Sequence, residues 1–384
     1  MKILFITSYL PGRGLHGGSS RIFEIIRYLK EKGHHISLIS FYHKEKGQDP
    51  EKKIKKYVDS LRIINKTPML GKPYKEVLEL IKRSSERENF DLVQFEYIHT
   101  GDYSDAISPK IPRILTEHEL HFYALKKRVS MEKSISGKMI NFAKFLLVRK
   151  RELNVMKKMD KIICVNEMDA KELRNYIDPE KIEVIPHGVD VDFFAPIPHI
   201  KMEKNSIGFF GYYKHYPNVD AVIFFAKEIL PLIRKEVPDV KFYIIGRNPP
   251  PEVKKLERIK GIVVTGYVQD LRPYIQKCEV IISPIRLGMG MRVKIMEAMS
   301  MGKPIVATDL SCEGFDVIDG RHVLIANEPH IFAECVLYLL ENQAESQKIG
   351  ENARALIVEK YNYRKIGEMI ENLYHQVVEE KNID

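Results

Sequence analysis

Cysteine is scarce in this sequence and long apolar runs are missing, and each shortage excludes a class of protein. The four cysteines are scattered over 384 residues, without a Cys-x-x-Cys pair or a Cys/His cluster. Such spacing is typical of core thiols in a reducing compartment and predicts neither a disulfide framework nor a metal site. No stretch approaches the roughly 18 uninterrupted apolar residues of a membrane-spanning helix. We therefore expect a cytoplasmic globular protein that does not cross a bilayer.

Acidic charge is scarce in one segment. Between His121 and Lys158, eleven basic residues stand against two acidic ones, an excess equal to the net charge of the whole chain, +9. The segment also holds apolar residues such as Phe142 and Leu147. Basic and apolar side chains together suit an anionic membrane surface, whereas a solvated helix face would explain the charge alone. Both interpretations stay open, and the first would place residues 121–158 at the inner face of the cell membrane.

Short apolar runs rich in β-branched residues alternate with helical patterns along nearly the whole chain. This alternation predicts an α/β protein with parallel sheets covered by helices. The runs of the first half are Ile3–Thr7, Ile36–Ser40, Leu92–Phe95, Arg113–Leu115, Lys161–Val165 and Ile182–Ile185. Those of the second half are Ile207–Phe210, Lys241–Ile245, Gly261–Val264, Val280–Ser283, Pro304–Ala307 and Val323–Ile325.

A boundary between two domains is indicated by the stretch Asp190–Ser206, which contains two prolines and ends in polar residues. We expect residues 1–195 to form an N-terminal Rossmann-like domain and residues 203–363 a C-terminal one, because the chain is too long for one core. The last helix, 364–384, has a long apolar stripe and is expected to pack back on the first domain. The fold class is thus two doubly wound parallel-sheet domains facing a cleft.

Candidate site residues follow from the rule that open parallel sheets bind ligands beyond the carboxyl ends of their strands. We expect the strand ends of both domains to line one cleft. In the first domain the candidates are Gly17, Gly18, Glu96, His99, His118 and Glu119. In the second they are Gly211, Tyr212, Gly246, Arg247 and Val268.

The stretch "LGMGMRVKIMEAMSMGKPIVAT" offers a phosphate site. Its glycines, Gly288 and Gly290, let backbone N–H groups approach a ligand, and the predicted helix that follows adds partial positive charge. Arg292 and Lys294 add formal charge beside those groups. Together these features predict a site for a diphosphate.

Glu297 lies one turn after Lys294, where a carboxylate can accept hydrogen bonds from ribose hydroxyls. Arg292 is about 140° from Glu297 around an ideal helix. It therefore reaches a phosphate only from an irregular first turn. The alternative is a surface salt-bridge set on an ordinary helix.

Five motifs give this chain a family resemblance along nearly its whole length. It resembles the retaining glycosyltransferases of family four, which have the two-domain GT-B fold. The motifs are "GGSSR" at Gly17–Arg21, "TEH" at Thr116–His118, "VIPHGVDVDFF" at Val184–Phe194, "GYVQDLRPY" at Gly266–Tyr274, and "GMGMRVKIMEAMSMGKPIVAT". The family often has two glutamates seven residues apart at the last motif. Here Met289 takes the place of the first, and the pattern is Gly-x-Gly-x-Arg-x-Lys-x-x-Glu.

The resemblance implies transfer of a sugar from a nucleoside diphosphate sugar to a hydroxyl acceptor, glycan or lipid-linked, in cell-surface polysaccharide or glycoconjugate synthesis. No metal or cofactor is implied, since the nucleotide sugar is a co-substrate. At the matching positions, the resemblance implies that Arg292 and Lys294 bind the diphosphate and that Glu297 binds the ribose. It also implies that His118 lies near the donor sugar. The donor-binding set is Gly17, Gly18, Gly211, Tyr212, Gly246, Arg247, Val268, Gly288, Gly290 and Met291, and the acceptor candidates are Glu96, His99 and Glu119.

Two other functions fit the composition. One is an epimerase or hydrolase of the same fold, which would turn over a nucleotide sugar without an acceptor. The other is a non-catalytic basic protein that binds an anionic surface through residues 121–158. The ordered residues at the strand ends favour the transferase, and we expect no nucleic-acid partner.

Overall fold

The computed structural model of the chain describes residues 1–13, 17–42, 50–132, 134–288 and 290–383. The chain divides into two compact units. The first unit comprises Met1–His187 and Tyr363–Asp384, and the second comprises Gly188–Asn362.

A seven-stranded parallel sheet forms the centre of the first unit, in the order β3-β2-β1-β4-β5-β6-β7. Its strands are β1 (Lys2–Thr7), β2 (His35–Phe41), β3 (Ser60–Ile64), β4 (Leu92–Glu96), β5 (Arg113–Glu117), β6 (Lys161–Cys164) and β7 (Ile182–Val184). Helices of this part of the chain are α1 (Gly17–Glu31), α2 (Pro50–Ile54), α3 (Lys75–Glu88), α4 (Ile98–Gly101), α5 (His121–Met131), α6 (Ile135–Met156) and α7 (Glu167–Leu173). The central strands are buried on both faces, which is why they read as continuous apolar runs in the sequence.

Strand β3 is the one strand of this sheet that the apolar runs did not predict. It lies at the sheet edge, and its residues are half-buried apart from the exposed Arg62. Because an edge strand needs less apolar surface than a central one, its run is short and interrupted, and the periodicity gives no clear signal.

The second unit has a six-stranded parallel sheet in the order β10-β9-β8-β11-β12-β13. Its strands are β8 (Ser206–Phe210), β9 (Lys241–Ile245), β10 (Ile262–Gly266), β11 (Val280–Ser283), β12 (Ile305–Ala307) and β13 (Leu324–Ile325). Its helices are α8 (Tyr216–Phe224), α9 (Leu230–Glu236), α10 (Pro251–Lys254), α11 (Arg272–Lys277), α12 (Val293–Ser300), α13 (Asp309–Cys312), α14 (Pro329–Glu341) and α15 (Gln343–Lys360). The two units are therefore Rossmann-like, with parallel strands and crossover helices, as the sequence predicted.

Residues 188–195 belong to the second unit, whereas the composition of the linker had suggested that the first domain runs to residue 195. The backbone N–H of Val189 donates to the carbonyl of Tyr361 at 2.8 Å. The Arg272 guanidinium lies 3.8 Å from the centre of the Phe193 ring. These contacts hold the segment to the second unit, and proline content alone could not reveal them.

The last helix, α16 (Tyr363–Ile383), belongs to the first unit and packs on α1. Gly367 allows close contact, because a side chain there would overlap the ring of Tyr28. The buried stripe of α16 is Tyr363, Ile366, Ile370, Leu373, Tyr374 and Val377. Within the residues that the structure describes, no helix combines the length and hydropathy needed to cross a membrane.

Candidate active site

The turn before α12 places Arg292 ahead of the helix. Gly288 and Gly290 have φ angles of 97° and 81°, in the left-handed region that glycine adopts without strain. Arg292 is the N-cap residue, and its Nη1 donates to the carbonyl of Gly290 at 2.7 Å. Only 8% of Arg292 is exposed. Its charge therefore adds to the partial positive charge at the start of α12.

This position removes the geometric conflict that an ideal helix would create. Arg292 is not on the regular helix, so its angle to Glu297 around the axis does not constrain it. Met291, also before the helix, is buried. Met289, which takes the place of the first glutamate of the family pattern, lies outside the described residues. The effect of this replacement therefore stays a prediction from the sequence.

Lys294 and Glu297 lie on α12 and are half-buried. The Nζ of Lys294 donates to Oδ1 of Asn218 at 2.5 Å and lies 4.1 Å from the centre of the Phe209 ring. Burial, and then repulsion from Arg292, hold the pKa of Lys294 well below its usual range. Burial raises the pKa of Glu297 to about 8, against the attraction of Lys294. An anionic ligand favours the protonated form of each group, so it charges Lys294 and keeps the carboxyl of Glu297 neutral.

Positive potential extends from these cations to the end of β8. The pKa of His215 is lowered by burial and then by Lys294 and Arg292. Asn218 holds Lys294 through its oxygen, while its Nδ2 donates to the carbonyl of Tyr212 at 2.9 Å. Asn218 therefore ties the end of β8 to α12. The sequence offered no signal for it, because a single asparagine near a helix start has no distinctive pattern.

The remaining predicted residues of the second unit follow β8, β9 and β10. Gly246 approaches Gly211 so closely that a side chain there would overlap the Gly211 carbonyl. The Arg247 guanidinium lies 4.4 Å from the centre of the Tyr212 ring, a cation–π contact. Val268 follows the end of β10 and is half-buried. The structure thus brings Gly211, Tyr212, Gly246 and Arg247 into one group.

A second group of predicted residues lies in the first unit, around His118. Nε2 of His118 is 2.8 Å from Oε2 of Glu96, and its ring stacks on Tyr97 with centroids 4.0 Å apart. A side chain at Gly18 would overlap Oη of Tyr97 and lie 3.2 Å from Nδ1 of His118. Nδ1 is buried and has no hydrogen-bond partner among the residues described. It therefore has capacity for a ligand next to the start of α1, which begins at Gly17.

Burial controls the charge of this group. It raises the pKa of Glu96 to about 8, against the attraction of Arg21. Burial, followed by repulsion from Arg21, holds the pKa of His118 well below its usual range, so the ring is neutral at pH 7. Glu96 also accepts from Nε2 of Gln94 at 3.2 Å. A neutral imidazole fixed on one side by Glu96 is suited to hydrogen-bond a sugar hydroxyl on the other.

His99 does not join the His118 group, whereas the charge of Glu119 acts on both Tyr97 and His121. The His99 ring packs edge-on against His121, with centroids 5.4 Å apart, and burial lowers the pKa of His99 to about 4. Burial opposes protonation of His121, yet its hydrogen bond to Glu152 at 2.9 Å raises the His121 pKa to about 9. The backbone N–H of Glu119 donates to Glu117 at 3.3 Å. His99, His121 and Glu152 form a separate polar cluster at the start of α5.

Sequence reasoning missed two partners of His118. Tyr97 follows the predicted Glu96 and has a φ angle of 72°, an unusual value for a tyrosine that the sequence does not reveal. Arg21 is the last residue of the "GGSSR" motif, and its fully buried guanidinium donates to the carbonyl of Pro186. Its place in that motif was the one feature of the sequence that could have indicated its role near His118.

Two Rossmann-like sheets, with charged side chains beyond their strand ends, match the GT-B fold that the sequence predicted. Residues 15–193 match the family model described as glycosyltransferase family 4, and residues 204–342 match the model described as glycosyl transferases group 1. The chain belongs to the family-four glycosyltransferases.

Individual proteins show the same similarity. The chain is 22% identical over 386 residues to a 44.6 kDa protein in the cps region of Klebsiella pneumoniae, covering 95% of this chain and 97% of that one. It is 24% identical to the UDP-Gal:α-D-GlcNAc-diphosphoundecaprenol α-1,3-galactosyltransferase of Escherichia coli, covering 81% and 82%. The crystal structure of Anabaena HepE in complex with UDP and glucose aligns with a TM-score of 0.71 at 13% identity, covering 97% and 99%. That last likeness shows a shared fold.

The buried carboxyl of Glu297 predicts a pH-dependent stability. Its pKa rises from 4.5 to about 8 on folding, so the folded state keeps a proton that the unfolded chain releases between these values. The contribution of this group to the free energy of unfolding is then fully present below pH 4.5 and is lost as the pH rises to about 8. Glu297→Gln lacks the titrating carboxyl and does not lose this contribution. Its free energy of unfolding should therefore rise relative to that of the wild type by at most about 1.4 kcal/mol for each pH unit in this window.

Urea denaturation at several pH values across this window measures the effect. Glu252→Gln, at an exposed position of α10, is the matched control and should follow the wild type. Parallel curves for Glu297→Gln and the wild type would contradict the assignment.

Proposed function

We propose that this glycosyltransferase is a retaining, metal-independent hexosyltransferase that uses a nucleoside diphosphate sugar. Its acceptor is a hydroxyl of a glycan or lipid-linked saccharide, in cell-surface polysaccharide or glycoconjugate synthesis at the inner face of the membrane. The name of the E. coli relative, a galactosyltransferase with a diphosphoundecaprenol-linked acceptor, supports this acceptor class. The observation that carries the proposal is Arg292 at the N-cap of α12, beside two left-handed glycines and Lys294.

The proposed sugar transfer requires stabilisation of the leaving diphosphate. In the transfer step a bond forms between the acceptor oxygen and the anomeric carbon while the bond to the phosphate oxygen breaks. The acceptor proton passes to the departing phosphate. Negative charge grows on the diphosphate, so Arg292, Lys294 and the N–H groups of α12 stabilise the transition state more than the ground state. These groups supply positive charge without a metal ion.

The other predicted residues bind further parts of the donor. Glu297 pairs with the ribose hydroxyls, and the main chain at Val268 with the base. Gly246 and Arg247, with Gly211 and Tyr212, complete the donor-binding set in the second unit. In the first unit, Nδ1 of His118 accepts from a hydroxyl of the donor sugar, next to the amide groups of Gly17 and Gly18. Glu96, His99 and Glu119 remain acceptor candidates.

Arg292→Ala should weaken binding of uridine diphosphate by about 10- to 100-fold, the usual worth of charged hydrogen bonds. We choose this nucleotide first because the E. coli relative is named for a UDP-sugar donor. Arg292→Lys should have an intermediate effect, since it keeps the charge and loses the planar fork. Isothermal titration calorimetry measures the affinities.

Arg286→Ala is the matched control, because Arg286 is exposed, precedes the same turn and pairs with Asp220 at 2.7 Å. It should bind the nucleotide as the wild type does. Equal affinity in Arg292→Ala, Arg286→Ala and the wild type would remove Arg292 from the donor site.

The stereochemistry of transfer is a second test. Retention predicts that the anomeric configuration of the donor sugar is kept in the product, and NMR of the first product formed reads it directly. An inverted anomer would contradict the proposed mechanism. Turnover of the donor without any acceptor, giving no glycosylated product, would instead support the epimerase or hydrolase alternative.

Helix α6 supports a membrane-associated acceptor. Four exposed apolar side chains, spaced by four, three and four residues, form one stripe of this helix: Ile135, Met139, Phe142 and Leu146. Exposed Lys138, Lys144, Lys150 and Arg151 lie among them on the same helix. An apolar stripe with neighbouring cations suits the surface of an anionic bilayer, where the apolar side chains leave water and the cations meet lipid phosphates. A solvated face with charge alone would not need the apolar stripe.

The double variant Ile135→Asp/Met139→Asp should lower binding to vesicles containing phosphatidylglycerol by at least about tenfold, because two exposed apolar side chains no longer enter the bilayer. Sedimentation with vesicles measures the bound fraction. Met369→Asp, at another exposed apolar residue of the first unit, is the control and should bind as the wild type does. Unchanged binding of the double variant, or equal binding to pure phosphatidylcholine, would contradict the membrane role of α6.

A further inference from the structure

A cluster of two histidines and a glutamate joins the two ends of the chain in the first unit. His34 lies between α1 and β2, and Glu371 and His375 lie one turn apart on α16. Each residue offers one ligand atom, and these three atoms lie within 4.8 Å of one another. The spacing in the sequence, over 300 residues, explains why no motif indicated this cluster.

The cluster is largely organised already. His34 is only 5% exposed, and its Nε2 lies 2.7 Å from Oε1 of Glu371. The hydroxyl of Tyr28 donates to the other oxygen of Glu371 at 3.1 Å. A hydrogen-bonded carboxylate and a buried imidazole have little freedom left to lose when they bind an ion. His375 is exposed and can turn its ring towards them.

The charge state suits a cation. Glu371 supplies a carboxylate, and His34 and Tyr28 lie against its two oxygens. Two imidazoles and one carboxylate favour Zn²⁺ and related transition metals, whereas Mg²⁺ and Ca²⁺ prefer oxygen ligands alone.

We propose that His34, Glu371 and His375 bind a divalent transition-metal ion of the Zn²⁺ type. Tetrahedral zinc lies about 2.0–2.2 Å from such ligands, which places ligand atoms about 3.4 Å apart, so a shift on the order of 1 Å from the present spacing completes the site. Water takes the fourth position. On binding, the metal replaces the ring proton on Nε2 of His34 and that proton moves to Nδ1, so the Met1 ammonium, which donates to Nδ1 at 3.2 Å, turns away from the ring.

The ion would fasten α16 to the N-terminal part of the first unit. His34 precedes β2 and so lies at the amino ends of the parallel strands, whereas His118 follows the carboxyl end of β5. The proposed ion therefore takes no part in sugar transfer. Its effect is on the stability of the first unit, and it is independent of the proposed donor site.

Calorimetric titration of tag-free, EDTA-treated protein with Zn²⁺ tests the proposal, together with the melting temperature. The wild type should bind one ion per chain and melt at a higher temperature with Zn²⁺ but not with Mg²⁺. His375→Ala should weaken binding by at least about 100-fold, since it removes a ligand, and should keep its own fold because the residue is exposed. His330→Ala, at an exposed histidine of α14, should behave as the wild type.

Co²⁺ in place of Zn²⁺ identifies the ligands. Nitrogen and oxygen ligation should give weak visible bands without the intense thiolate charge-transfer band that a cysteine site would produce. Equal Zn²⁺ affinity in His375→Ala and the wild type, absence of stoichiometric binding in the wild type, or a thiolate band would each overturn the proposal.

Discussion

The contact between the Arg292 guanidinium and the Gly290 carbonyl is the interaction on which the candidate donor site depends. It exists because Gly288 and Gly290 turn the chain through left-handed backbone conformations, which cost most other residues free energy. The turn starts α12 with an arginine at its N-cap, a position at which short polar side chains are generally favoured. A formal charge and the helix dipole then act at one point.

Burial tunes the charges on both units in the same direction. Lys294 and Glu297 on α12, and Glu96 and His118 beyond β4 and β5, are all held closer to neutrality than exposed groups would be. A protein that must receive a highly charged diphosphate and then release it gains from this arrangement. A bound diphosphate favours the protonated form of each nearby group, so it charges Lys294 while the carboxyl of Glu297 stays neutral and does not repel it.

Much of the fold could be predicted from the sequence, because buried parallel strands appear as apolar runs between helical patterns. All six strands of the second unit were predicted in this way, with ends that differ by at most two residues. Edge strand β3 and the assignment of residues 188–195 escaped prediction, since both depend on tertiary contacts such as that of Val189 with Tyr361. Local pattern carries no information about such contacts.

The candidate site was predictable only in part, for the same reason. Glycines and charges beyond strand ends pointed to Arg292, Lys294 and His118. The partners that orient them did not appear: Asn218 beside Lys294, and Tyr97 stacked on His118, are ordinary residues until the chain folds. The separation of His99 from His118 was also hidden, because residues after neighbouring strands can point into different clusters.

The most direct test of the central claim is a crystal structure of the protein with uridine diphosphate. The account predicts phosphate oxygens about 3 Å from the Arg292 guanidinium and from the backbone N–H groups at the start of α12. A diphosphate bound elsewhere on the second unit, with Arg292 still turned onto the Gly290 carbonyl and touching no phosphate, would contradict it.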